Sequence, residues 1–332
     1  MNAPPDRPVV VVLCEQASQP PPHLDALGDR VDLRYADHSG LSEALTGASA
    51  LLLWDFFSTA LQRAWPSATD LAWVHVAAAG VDTLLFDALV ESEVVVTNAH
   101  KTFDCPIAEF VLASMLAHAK DLHASHDYQR ERVWRHRETS SLAGTQALVV
   151  GTGGIGRETA RLLRALGVHV RGAGRTARPG DPDFGDVVAS TDLAQSVADV
   201  DHLVIAAPLT DQTRGLVDRA VFAAMKPSAH LVNVARGPIV DEQALVTALE
   251  TGQIAAASLD VFESEPLPTE SRLWSLPGVA ISAHMSGDVV GWRDALARQF
   301  ITNAERWLAG EPLHGVVDKR LGFVPARTQE TS

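Results

Sequence analysis

Short, nearly continuous apolar runs recur through the first hundred residues, at 9–13, 31–35, 50–54, 73–76 and 94–98. Most are rich in Val, Leu and Ala without polar alternation, the pattern of strands buried on both faces. Helical or loop segments separate them, so this portion reads as an α/β unit. Around Pro106 the period changes. Ile107, Phe110, Val111 and Ser114 form the stripe of a buried helix face, with Asp104 as its cap. A second series of apolar runs follows at 147–150, 168–173, 202–206, 230–233, 257–260 and 279–282. Strands alternating with helices imply parallel, doubly wound sheets. The last regular element is a helix over 288–309 with Trp292, Leu296, Phe300, Ala304 and Trp307 on its apolar face and Gly310 at its C-terminal end.

The run at 147–150 leads straight into Gly151-Thr-Gly153-Gly154-Ile155-Gly156 and then into a helix over 158–166. A G-x-G-x-x-G between strand and helix is the dinucleotide-binding fingerprint. Gly151 permits the turn, Gly153 lets the backbone approach a pyrophosphate, and Gly156 lets helix and strand pack closely. Gly154 and Ile155 complete the loop, and the helix N-terminus faces the phosphates. An NAD site wants an acidic residue at the end of the second strand, to accept from the ribose hydroxyls. Here that position is Gly174, followed by Arg175, Thr176 and Arg178. Guanidiniums and a hydroxyl suit a 2′-phosphate that a carboxylate would repel, so NADP(H) is expected as the preferred cofactor and NAD(H) as the lesser one.

Composition narrows the remaining classes. The chain has 332 residues, 46% hydrophobic and 20% charged, with a net charge of −14. That is a globular profile long enough for two domains, and its acidic balance argues against a nucleic-acid surface. No window holds 18 consecutive apolar residues and the segment at 1–8 lacks a signal pattern. No membrane partner is therefore expected, and a cytoplasmic location is. Cys14 and Cys105 are the only cysteines, too few for a disulfide framework. His118, His123 and His126 lack a Cys or carboxylate to complete a metal set. They read as a solvated helical surface, and no metal is expected.

Three further segments sit downstream of the glycine loop: Val232-Asn-Val-Ala235-Arg236-Gly-Pro, Leu259-Asp260-Val-Phe-Glu-Ser-Glu265-Pro, and Ser282-Ala-His284-Met-Ser-Gly287. With Ala77-Ala-Ala79-Gly80-Val-Asp and Thr97-Asn98 upstream, the ordered set resembles the D-isomer specific 2-hydroxyacid dehydrogenases, in particular those of the glyoxylate/hydroxypyruvate reductase type. The resemblance implies an α/β fold of two doubly wound parallel-sheet domains with a cleft between them. A Rossmann-type nucleotide domain over 104–286 would be inserted into a discontinuous, flavodoxin-like substrate domain made of 1–103 and 287–332. It also implies that His284 exchanges a proton with the substrate oxygen, that Glu265 is its partner, and that Arg236 anchors the substrate. Backbone N–H groups of Ala79 and Gly80 would bind the substrate carboxylate. Pro208, Thr213 and Gly287 would line the cofactor, and the Ala235 carbonyl and Asp260 carboxylate would orient its carboxamide. A homodimer built through the nucleotide domain is implied as well.

The residue types suit those roles. Reducing a 2-keto acid needs a proton on the carbonyl oxygen, which a histidine can supply near neutrality. A buried carboxylate beside the imidazole would favour imidazolium and fix which nitrogen faces the substrate. Arg236 offers a planar fork to carboxylate and keto oxygens. The expected function is an NADPH-dependent oxidoreductase acting on the CH–OH group, reducing small 2-keto acids such as glyoxylate or hydroxypyruvate. Bulkier, phenylpyruvate-like acids enter if Phe56, with Trp54, Phe57 and Trp292, lines the substrate site. Alternatives are a nucleotide-sensing scaffold or corepressor, and a dehydrogenase of a non-hydroxyacid such as phosphite. A feedback-controlled phosphoglycerate dehydrogenase is disfavoured by the missing regulatory domain, and formate dehydrogenase by Glu265 in place of glutamine.

Overall fold

Parallel sheets form where apolar runs alternate with helices, and there are two of them. The computed structural model describes residues 7–325, so most of the segment read for a targeting signal lies outside the described residues. The chain divides into two compact units: residues up to Phe103 together with those from Val289 onward, and Asp104–Asp288.

In the first unit, strands β1 (Val9–Leu13), β2 (Asp32–Ala36), β3 (Ala50–Leu53), β4 (Trp73–Val76) and β5 (Val95–Asn98) form a five-stranded sheet in the order β2-β1-β3-β4-β5. All its pairings are parallel. Val10 to Leu13 and Ala50 to Leu53 are buried throughout, as strands covered on both faces must be. The helix Trp292–Leu308 packs here through Leu296, Ala297, Phe300, Ala304 and Trp307. Phe300 stacks on Trp73 with ring centroids 5.3 Å apart. Gly291, with φ 87, ends the chain's approach to this helix, which therefore begins later than its apolar pattern suggests.

The second unit holds β6 (Gln146–Val150), β7 (His169–Gly174), β8 (Arg178–Asp181), β9 (Gly185–Ala189), β10 (His202–Ile205), β11 (His230–Asn233), β12 (Ala256–Leu259) and β13 (Val279–Ile281). Their order is β13-β12-β11-β10-β6-β7-β9-β8, parallel except for the edge pair β8–β9. The order reverses between β6 and β10. Ligands of doubly wound sheets bind outside the carboxyl ends of the strands at such a switch point. The β8–β9 hairpin was not expected. Pro179 and Gly180 read as a turn, and such residues are tolerated only because the strand is an edge.

The histidine expectation also changes. His118, on the helix Asp104–Ala119, is half-buried with its ring stacked 4.4 Å from that of His230. His202 meets His230 edge-on at 5.7 Å. His118 thus belongs to an interior cluster under the sheet, while His123 and His126 stay exposed. Among the described residues no helix is long and apolar enough to cross a membrane.

Candidate functional site

The glycine loop leaves β6 at the switch point. Gly151 has φ +113, and a Cβ there would meet the backbone of Ala206 and Ala207 at 2.5–2.6 Å. A Cβ at Gly156 would land on the Gly151 carbonyl oxygen, and one at Gly154 on the Asp104 carboxylate. Gly153 differs, because a Cβ on it would meet nothing within 4 Å. Its lack of a side chain serves access rather than packing. Gly153 caps the helix Gly154–Ala165 without any side-chain hydrogen bond, so the helix opens on an exposed cradle of N–H groups that fits a pyrophosphate. Beside it, the loop after β10 is closed by the Thr213 hydroxyl, which donates to the Pro208 carbonyl at 2.7 Å.

β7 ends at Gly174, where a Cβ would lie 3.3 Å from the Thr152 hydroxyl of the glycine loop. The expected acidic position is therefore adjacent to the cradle and empty of side chain. Arg175 and Thr176 follow, both exposed. Arg178 is different from the expectation. Its guanidinium donates to Asp181 at 2.8 and 3.2 Å, in a group where Arg157 also bonds Asp181 and Asp183. Burial pushes the Asp181 carboxyl up, but hydrogen bonds from Arg157 and Arg178 outweigh it and hold the group well below the usual range. Arg178 is committed to this network because a buried carboxylate needs the charge.

The candidate acid–base residues Glu265 and His284 follow the neighbouring strands β12 and β13. His284 Nδ1 lies 2.7 Å from Glu265 Oε2, and the other Glu265 oxygen accepts from the Phe262 N–H at 2.9 Å. Burial raises the Glu265 pKa, yet the bonds from His284 and Phe262 and the charges of His284 and Arg236 lower it on balance. Glu265 is thus a carboxylate at neutral pH. A carboxylate partner favours the ring form that carries a proton on Nδ1, and Nε2 then points away from Glu265. The expected burial is only partial, with side-chain exposure of 25% for His284 and 31% for Glu265. Gly237 brings the Arg236 turn close, since a Cβ there would collide with the Phe262 backbone.

Two residues brace the site in ways the sequence does not show. Asp260 is 0% exposed and ties down the loop that carries His284. Its carboxylate accepts from the Ser282 hydroxyl, from Met285 N at 2.9 Å and from Ser286 N at 3.0 Å, and its carbonyl accepts from His284 N at 2.8 Å. His284 is held at φ 51, a left-handed conformation rare outside glycine. Gly287 is buried directly after this loop. Asn233 plays the same part for Arg236. Its side chain accepts from Ala235 N and donates to the Arg236 carbonyl. The Ala235 carbonyl itself accepts from Arg236 Nη1 at 2.7 Å. No spacing rule reveals Asn233, since it acts through local backbone groups.

In the first unit, Ala79 and Gly80 lie in the loop after β4. Asn98 Nδ2 donates to the Ala79 carbonyl at 2.6 Å and fixes that loop. The N–H groups of Ala79 and Gly80 find no protein acceptor among the described residues. Phe56 lies in the neighbouring loop after β3, its carbonyl 3.4 Å from the Thr83 hydroxyl.

The NAD-binding-domain model of the D-isomer specific 2-hydroxyacid dehydrogenases matches residues 112–286. The chain is 32% identical over 326 residues to a D-3-phosphoglycerate dehydrogenase of Mycobacterium bovis, covering 96% of this chain but 60% of that relative's length. It is 33% identical over 237 residues to glyoxylate/hydroxypyruvate reductase A of Arabidopsis thaliana, covering 70% of this chain and 74% of the relative. A D-isomer specific 2-hydroxyacid dehydrogenase from Xanthobacter autotrophicus, solved with NADPH and MES, superposes with a TM-score of 0.78 at 32% identity, over 94% of this chain and 100% of that one. The two-sheet fold agrees with these likenesses, and the chain belongs to the D-isomer specific 2-hydroxyacid dehydrogenase family.

Proposed function

We propose that this chain reduces a 2-keto acid to the D-2-hydroxy acid with NADPH. The observation that carries the reading is the His284–Glu265 pair, 2.7 Å apart, whose carboxylate also feels the charge of Arg236, on the strand edge that carries the glycine cradle. When bound, the nicotinamide supplies the hydride that goes to the carbonyl carbon. His284 gives its Nε2 proton to the carbonyl oxygen, leaving a neutral imidazole that Glu265 keeps oriented. Arg236 pairs with the substrate carboxylate and polarises the carbonyl. Ala79 and Gly80 offer unpaired backbone donors of the kind that bind a carboxylate.

The cofactor preference rests on Gly174. With no carboxylate there, the 2′-phosphate is taken by Arg175 and Thr176, while Arg178 stays with Asp181. The Xanthobacter relative was solved with NADPH, which is consistent with this choice. A nucleotide-sensing scaffold has no use for a complete Arg–Glu–His set, so it is not favoured. Assembly as a homodimer through the nucleotide-binding unit belongs to the same proposal. The test is NADPH oxidation by a panel of 2-keto acids with the native chain and with His284→Ala. The substitution should lower kcat by about 10²–10⁴-fold with NADPH binding unchanged. Normal turnover by the variant, or a clear preference for NADH, overturns the reading.

A further inference from the structure

The carboxyl edge of the first unit's sheet carries an aromatic wall as well as a donor loop. Leu53 pairs with Val76 across β3 and β4, so the segments leaving those strands start side by side. Ala77 N donates to the Leu53 carbonyl at 3.0 Å, and Thr83 joins the two loops through the Phe56 carbonyl. Phe56 and Phe57 have ring centroids 4.7 Å apart. Trp292 stands edge-on to Phe56 at 6.2 Å and lies 6.3 Å from Phe103 beneath it. Trp292 opens its helix one turn before the buried Leu296 and is itself only partly buried. The Arg293 guanidinium lies 5.2 Å from its ring. Phe57 remains 56% exposed. Phe103 is buried and Phe56 packs partly against the core of the sheet, whereas Phe57 leaves an apolar face toward solvent at the same sheet edge that carries the loop of Ala79 and Gly80.

We infer that this wall receives the substrate's side chain, and that the substrate class is a 2-keto acid bearing an aryl or comparably large apolar group. The inference rests on the reductase reading above. The carboxylate would sit on the N–H groups of Ala79 and Gly80, and the ring edge-to-face against Phe56, Phe57 and Trp292. A two-carbon keto acid would leave the wall wet and forgo that burial.

The test compares kcat/KM for phenylpyruvate and for glyoxylate, with NADPH, in the native chain and in Phe57→Ala and Trp292→Ala. The native enzyme should favour phenylpyruvate by at least about tenfold, and each variant should reduce that ratio by about tenfold. Because Phe57 is largely solvent-facing, its substitution keeps the comparison valid if Trp292→Ala folds poorly. A native preference for glyoxylate, or an unmoved ratio in Phe57→Ala, overturns the inference and leaves the reductase reading intact. Turnover of neither acid overturns both.

Discussion

Asp260 shows how one buried side chain can govern chemistry it does not perform. Three protein donors converge on its carboxylate, and a fourth, His284 N, reaches its carbonyl. Together they hold His284 at a positive φ that costs about 1–2 kcal/mol for a side-chain-bearing residue. Asp260→Ala should leave three donors without partners, lowering stability by roughly 3 kcal/mol or more. It should also lower kcat by about 10²-fold as the imidazole loses its aim. Urea unfolding and steady-state turnover measured on the same preparation check both, and a destabilised variant with native kcat would separate the clamp from catalysis. At this scale the sequence was informative where chemistry demands a residue type. Arg236, Glu265 and His284 stood out because each closes a recognisable string after a strand. Asp260 as a clamp and Asn233 as a turn brace were illegible, since their partners are backbone N–H groups that leave no trace in the letters. Arg178 misled for a related reason. Its partner Asp181 reaches it only once an unforeseen edge hairpin has formed.

Elements carry a pH dependence of their own. The helix Asp104–Ala119 sets His118 against the first residues of β10 and β11, its ring stacked on that of His230, which His202 meets edge-on. Burial pushes His202 down to about 4 and His230 well below its ordinary value, and the neighbouring imidazoles add to both shifts. Asp201 opposes the shift on His202, while Lys226 reinforces it. Above about pH 6.5 these rings are neutral in folded and unfolded chains alike, so nothing is lost there. Below it the unfolded chain takes up protons that the native one refuses, and stability falls between about pH 6.5 and about pH 4. His202 alone should account for about 3 kcal/mol at the lower limit. Urea midpoints at about pH 7.5 and about pH 5 should differ accordingly, and His202→Leu should show a shallower decline. Identical slopes for native and variant would remove the cluster from the account. Apart from the edge pair β8 and β9, apolar runs locate the strands to within a residue or so, because doubly covered strands must be continuous in Val, Leu and Ala. A histidine inside that interior looks, in sequence, the same as one on a wet helix.

Over the whole molecule the question is assembly, and one side chain focuses it. Trp134 is 100% exposed, with Val133 beside it at 46%. The segment that bears them is not loose. Arg135 and Arg137 each lie 5.4 Å from the Tyr128 ring, Arg135 also donates to the Tyr128 hydroxyl at 2.9 Å, and Arg137 grips the Asp121 carbonyl at 2.6 Å. Further along, Ser140 N donates to the Ala119 carbonyl at 2.9 Å. A backbone pinned on both sides thus presents a bare indole to water, at a cost of roughly 2 kcal/mol or more in unburied apolar surface. Such a rigid aromatic has the character of the anchors that dominate interfaces, and a second copy of the nucleotide-binding unit is the partner proposed for it. Sedimentation velocity at micromolar concentration should find the native chain dimeric. Trp134→Glu should weaken association by about 10²-fold or more, shifting the population toward monomer. Since Trp134 touches so little within its own chain, the variant should keep its native unfolding midpoint. A native monomer, or a Trp134→Glu dimer as tight as the native one, would assign the exposed indole to some other purpose.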